Sequence, residues 1–230
     1  MNRIVTPFTV AQPSVAIEGS DARFPVHRIY CVGRNYAAHV REMGANPERE
    51  PPCFFMKPAD AVVPNGASVP YAPRTASFHH EIELVVAIGV GGRDIPRETA
   101  LDHVYGYAVG NDLTRRDLQA AAKNAGLPWD VAKGFDRSAP VAAIRPVGSG
   151  GHVAEGRIWL EVNGQVRQDA NLAEMIWSVP EILVELSSLF ELQPGDLVFT
   201  GTPAGVGPVQ RGDSIVGGID GLETLRTTIE

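Results

Sequence analysis

The chain has 230 residues, 44% of them hydrophobic, enough for one sizeable core in one large domain or one and a half small ones. A net charge of −7 leaves no basic face for general nucleic-acid binding, and no apolar run approaches the ~20 residues of a membrane span. Cys31 and Cys53 lack CxxC spacing and read as free thiols of a reducing cytoplasm without a signal peptide, while 24 glycines and 18 prolines point to a turn-rich, strand-dominated fold.

Residues 1–25 read as an N-terminal arm. Val5, Phe8, Val10, Val15 and Ile17 suggest short strands around Pro13, with a turn at Gly19, Ser20 and Asp21. Residues 28–32 form the first buried strand, and Gly33 turns the chain. A short helix over 34–43 is stopped by Gly44. His39 and Glu42 share a face of that helix. A carboxylate beside an imidazole can hold and share a proton, as water activation requires; a solvated helix face also carries such pairs incidentally. The charged, proline-rich stretch 48–52 is a loop that covers something or moves. Residues 53–56 form a short strand that ends in Lys57, a substrate contact or a surface lysine. Turns fill 61–70.

Residues 79–89 are a strand whose second half is apolar and β-branched. Alternation puts Ile82, Leu84, Val86 and Ile88 on one side, and Glu81 and Glu83 on the other with Val85 and Ala87. Residues two apart on a strand lie ~7 Å from each other. Two carboxylates entering an apolar strand repel and need positive charge between them. A hard divalent cation supplies it; a strand end frayed into solvent removes the need.

A short helix over 97–103 and a strand over 104–110 lead to Asp112. Thr114, three residues before Asp117, resembles a capping box for a helix over 115–124 that stops at Gly126. If Thr114 is the cap, Asp112 is a third carboxylate at a strand end; otherwise it is a backup cap. Helical spacing brings Arg115 and Arg116 to Gln119. Residues 127–136 read as an irregular loop, in which Lys133 reaches a bound anion or is solvated. A glycine-rich turn region (145–156) precedes a hairpin over 157–168 with Asn163-Gly164 at its turn. Stretches 171–177 and 180–190 look helical. A tight turn at 193–196 precedes a strand over 197–200. The loop 201–207 resembles an anion-binding nest without the GKS/T ending of a P-loop, so nucleotide binding stays a separate alternative. Arg211-Gly212-Asp213 reads as a hairpin turn, and 214–229 as two edge-like strands.

Taken together, three carboxylates without a His or Cys ligand cluster favour Mg²⁺ or Mn²⁺, with Ca²⁺ a further candidate, over zinc. Basic residues at strand ends suit a small anionic substrate. The stretches CVGRNYAAHVREMG (31–44), FFMKPADAV (54–62), HHEIELVVAIG (79–89), GYAVGNDLTRRDLQ (106–119), GLPWDVAKGFD (126–136) and VFTGTPAGVGPV (198–209) run in order over almost all of the chain beyond residue 25. They resemble the fumarylacetoacetate hydrolase family, in its short branch of acylpyruvate and fumarylpyruvate hydrolases. That resemblance implies an α+β fold, mostly β with short helices, of the mixed β-sandwich roll type. It assigns 26–230 to the catalytic domain and implies a cytoplasmic homodimer.

By the same resemblance the metal ligands are Glu81, Glu83 and Asp112, and the water-activating dyad is His39 and Glu42. Substrate and oxyanion contacts are Arg34, Lys57, Arg116, Gln119, Lys133 and Thr202. The implied reaction is hydrolysis of a C–C bond in a 2,4-dioxo acid. Glu42 deprotonates a water, Lys133 with Gln119 stabilises the oxyanion, and fumarylpyruvate yields fumarate and pyruvate in gentisate-type aromatic catabolism. Alternatives are an oxaloacetate-type decarboxylase or a tautomerase of the same family, and a metal-stabilised binding module without chemistry.

Overall fold

Side-chain alternation along 82–88 divides the interior in two, as a strand buried on both faces must. The computed structural model describes residues 7–43 and 51–230. Val5, Gly44 and the charged stretch 48–50, on which expectations were placed, lie outside the described residues. Ile82, Leu84, Val86 and Ile88 enter one apolar cluster, and Val85 and Ala87 enter a second.

The arm gives β1 (Ser14–Ile17) and β2 (Ser20–Pro25), which pair around Gly19. Next come β3 (Ile29–Gly33), helix α1 (Ala37–Glu42), β4 (Cys53–Lys57), β5 (Val62–Pro64), β6 (Ser68–Val69), β7 (Phe78–His80) and β8 (Ile82–Ile88). Then follow β9 (Val104–Asn111), β10 (Thr114–Arg115), α2 (Arg116–Ala125), α3 (Asp130–Lys133), β11 (Ala139–Val141), β12 (Arg145–Pro146) and α4 (Val147–Gly150). The chain closes with β13 (Arg157–Val162), β14 (Gln165–Asn171), α5 (Val179–Leu189), β15 (Leu197–Phe199), β16 (Gly207–Pro208), β17 (Ser214–Ile219) and β18 (Leu225–Ile229).

Among the described residues the central sheet has eight strands, ordered β4-β3-β15-β8-β9-β11-β5, with β12 on β9. It is mixed: β3 runs parallel to β15 and β11 to β5, while β8 is antiparallel to both its neighbours. A five-stranded sheet, β14-β13-β17-β18-β6, shares the first apolar cluster through Ile158, Leu160, Ile215, Ile219 and Leu225. Helix α5 adds Ile182, Leu183 and Leu186. On the other face Val15, Phe24 and Val26 join Ile29, Cys31 and Phe199, so β1 and β2 pack on the sheet. Each such buried side chain contributes about 1.5–3 kcal/mol. The result is the mostly β sandwich roll with short helices that the resemblance implied. No helix among the described residues is long and apolar enough to cross a membrane.

Several local expectations need correction. The 79–89 run is two strands, not one: β7 belongs to a three-stranded sheet with β10 and β16, and the break falls at Glu81. There the Glu81 N–H donates to Asn111 Oδ1 (2.9 Å) and its carbonyl accepts from Asp112 N–H (2.8 Å). Phe8 and Val10 are exposed and outside any strand. Thr114 caps nothing; it is buried in β10, and its hydroxyl donates to Asp112 O. Asp117 instead receives Thr75 Oγ1 and Ala76 N–H.

The stretch 171–177 holds one short turn, Leu172–Glu174, capped by Asn171 and Glu174. Beyond it, Ile176 and Trp177 bond to Asn35 instead of continuing a helix. Strands β17 and β18 are interior, because β13 and β6 flank them. The hairpin turn is as expected, with Asn163 (φ 52°) and Gly164 (φ 74°) both left-handed.

Candidate active site

Glu81 and Glu83 enter at the start of β8, and Asp112 follows the end of β9, the strand paired with β8. All three are buried, and one oxygen from each lies within 4.8 Å of the others. Such a cluster is costly without compensation. The chain supplies much of it from α3 and α2. Lys133, which the irregular-loop reading placed among small residues, sits on the single turn α3 and is 2% exposed. Its ammonium donates to Glu81 Oε2 (2.7 Å), Asp112 Oδ2 (2.6 Å) and Thr114 Oγ1 (2.7 Å). Arg116 Nη2 donates to Glu81 Oε1, and its Nη1 to Gln119 Oε1 (2.5 Å).

These contacts leave the three acids electrostatically unlike. Burial pushes the Glu81 carboxyl up, but Lys133, Arg116 and His39 together outweigh it and hold the group below the usual carboxylate range. Burial pushes Glu83 well above that range. Asp112 and Glu81 add to the push, and Lys133 with the Gly201 N–H (2.8 Å) offsets only part of it. Burial would lower Lys133, but Asp112 and Glu81 raise it further than burial lowers it. Asp112 Oδ1 is buried and accepts no hydrogen bond; Lys57 Nζ stands 2.8 Å away as an ion pair only. Three clustered hard oxygen donors, one of them over-supplied with negative charge and one with an oxygen that accepts no hydrogen bond, fit a divalent cation such as Mg²⁺ or Mn²⁺.

Across the cavity, α1 carries His39, whose Nδ1 is 3.2 Å from Glu42 Oε2. The His39 ring lines the same cavity as the three acids. The 201–207 loop does bind anions, but they are the chain's own carboxylates. Gly201 N–H meets Glu83, and Gly205 N–H meets both Glu42 oxygens at 3.0 and 3.2 Å. Two of the loop's amides are therefore engaged by the chain's own acids. Gly205 must be glycine: its φ is 93°, and a Cβ would stand 2.0 Å from Arg167 O.

Arg116, Gln119, Lys133, Arg34 and Thr202 also face the cavity. Arg34 holds a left-handed φ of 62°, a local strain of the kind found at functional sites. Lys57 does not line the cavity. It is buried behind Asp112 and donates to Leu113 O (3.2 Å) and Lys133 O, so it acts on the carboxylates from below. Arg115, expected beside Gln119, turns instead to Val131 O and stacks on Phe135.

Gln168 is the residue that sequence reading missed. Its Oε1 accepts from Ile82 N–H (3.1 Å) and lies 2.9 Å from His80 Nδ1. Its Nε2 donates to Thr202 Oγ1 (2.8 Å) and Pro203 O (2.9 Å). One buried amide thus fixes the chain on both sides of Glu81 against the loop that holds Glu83 and Glu42. On a hairpin strand written QVRQDAN, nothing in the pattern separates this glutamine from its exposed neighbours.

The family model described as Fumarylacetoacetate (FAA) hydrolase C-terminal matches residues 28–230. The crystal structure of fumarylpyruvate hydrolase from Pseudomonas aeruginosa, in complex with Mn²⁺ and pyruvate, superposes with a TM-score of 0.95 at 54% identity, covering 99% of each chain. A fumarylpyruvate hydrolase of Ralstonia sp is 45% identical over 176 residues, 76% of this chain and 91% of the relative. The mitochondrial oxaloacetate tautomerase FAHD1 of Mus musculus is 44% identical over 202 residues, 88% of this chain and 91% of the relative.

Proposed function

The chain belongs to the fumarylacetoacetate hydrolase family, and from that premise we propose that it is a divalent-metal-dependent hydrolase of 2,4-dioxo acids, cleaving fumarylpyruvate to fumarate and pyruvate. The observation that carries the reading is that three buried carboxylates line one cavity together with His39, whose Nδ1 pairs with Glu42. Glu81, Glu83 and Asp112 would hold Mg²⁺ or Mn²⁺. Bound there, the cation supplies Lewis acidity to the 2-oxo acid end of the substrate.

The chain's own groups do the rest. Glu42, steadied by the Gly205 N–H and by His39, takes the proton of the attacking water. Arg116 occupies Gln119 Oε1, so the Gln119 amide nitrogen is the end left to donate to the oxyanion at the distal carbonyl. Lys133 engages its three N–H groups with Glu81, Asp112 and Thr114, so it serves the oxyanion as a nearby positive charge. Lys57 holds Asp112 in place from 2.8 Å. Arg34 and Thr202 contact the substrate from the cavity wall.

The similarity to an oxaloacetate tautomerase favours a second reading, in which the same site moves a proton on a shorter 2-oxo acid. One ultraviolet assay separates the readings, using fumarylpyruvate, acetylpyruvate and oxaloacetate with and without EDTA. The hydrolase reading expects EDTA-sensitive loss of the dioxo absorbance with release of pyruvate. Enol–keto exchange of oxaloacetate without acylpyruvate cleavage would favour the tautomerase. Consumption of none of the three, with Mg²⁺ still raising the melting temperature, would leave a binding module.

A further inference from the structure

We infer that Lys123 reads a second carboxylate at the far end of the substrate, so that the site prefers dicarboxylic over monocarboxylic 2,4-dioxo acids. This deepens the hydrolase reading above and rests on it. Helix α2 lays Arg116, Gln119 and Lys123 along the cavity wall at spacings of three and four, one face of a helix. Arg116, at the inner end, is paired with Glu81, and Gln119 is bonded to Arg116. Lys123 stands seven residues further on, about 10 Å along the helix axis. That span suits a dicarboxylic acid of several carbons lying along the helix with its 2-oxo acid end at the three acids. The two carboxylates of oxaloacetate are joined by too short a chain to occupy both ends.

The charge pattern points the same way. Lys133 and Arg116, also in the cavity wall, are each paired with acidic side chains. Lys123 makes no ion pair with any carboxylate among the described residues, although the chain as a whole carries a charge of −7. The acid of its own helix, Asp117, is turned away to Thr75 and Ala76. The cavity lining also has apolar members, with Phe55 and Trp129 in ring contact (centroids 5.7 Å apart) and Met43. Such side chains accept the unsaturated carbons between two carboxylates and offer their charges nothing.

A lysine in the last turn of a helix also favours the helix dipole, so the test must separate specificity from structure. We expect the ratio of kcat/KM for fumarylpyruvate to that for acetylpyruvate to fall at least about tenfold in Lys123→Gln, the scale of one charge-assisted hydrogen bond, and to be held within about threefold in Lys123→Arg. Fumarate added to the Mn²⁺-loaded protein should raise the melting temperature of the wild type and of Lys123→Arg more than that of Lys123→Gln. Wild-type turnover of both acids with a ratio indifferent to Lys123→Gln would overturn this inference alone. Wild-type turnover of neither acid would overturn the hydrolase reading and this inference with it.

Discussion

Glu42→Gln lowers turnover of an acylpyruvate by at least about a hundredfold, the scale of losing a positioned general base, and leaves divalent-cation binding intact. The glutamine keeps an acceptor oxygen for the Gly205 N–H and changes none of the three buried acids. What it lacks is the capacity to take a proton beside His39. Steady-state kinetics paired with a Mn²⁺ binding isotherm check both halves. A near wild-type rate would show that the α1 pair does not activate water.

Lys133→Met produces the largest change in stability. It removes the one ammonium that bridges Glu81 and Asp112, and leaves both carboxylates buried with fewer partners. Breaking a buried charge pair from one side costs about 3–5 kcal/mol, mostly as the penalty of stranded charge. Urea unfolding in EDTA measures that loss. Added Mn²⁺ should recover more stability in Lys133→Met than in the wild type, because the cation then supplies charge that the lysine no longer does. A variant within about 1 kcal/mol of wild type in EDTA, where a fully surface-exposed lysine would fall, contradicts the network.

The physics behind both predictions was partly legible in the sequence. Period-two alternation placed Ile82, Leu84, Val86 and Ile88 in one core and Val85 and Ala87 in the other, because burial on both faces leaves a strand no other choice. Helical spacing brought His39 to Glu42 and Arg116 to Gln119. Most of the failures share one cause, which is long-range partners. Thr114 looks like a cap only while Lys133, nineteen residues away, is out of view. The 79–89 run looks like one strand until Asn111 takes the Glu81 amide and hands its ends to different sheets. Lys57 looks like a surface lysine because nothing local shows that Asp112 folds over it. Strands β17 and β18 look like edges because their neighbours, β13 and β6, come from distant sequence.

Gln168 is the limiting case. Its four partners lie on β7, on β8 and in the 201–207 loop, and its own strand is mostly polar, so neither periodicity nor composition marks it. Sites assembled from several strand ends are legible residue by residue as chemistry. Their supporting contacts become visible only once the sheets are in register.

Anomalous scattering from crystals grown with Mn²⁺ tests the central claim most directly. The account predicts a single strong peak in the cavity, within coordination distance of an oxygen from each of Glu81, Glu83 and Asp112 and on the side that faces His39. A map without that peak, or with manganese bound elsewhere while these three acids stay paired only with Lys133, Lys57 and Arg116, would contradict it.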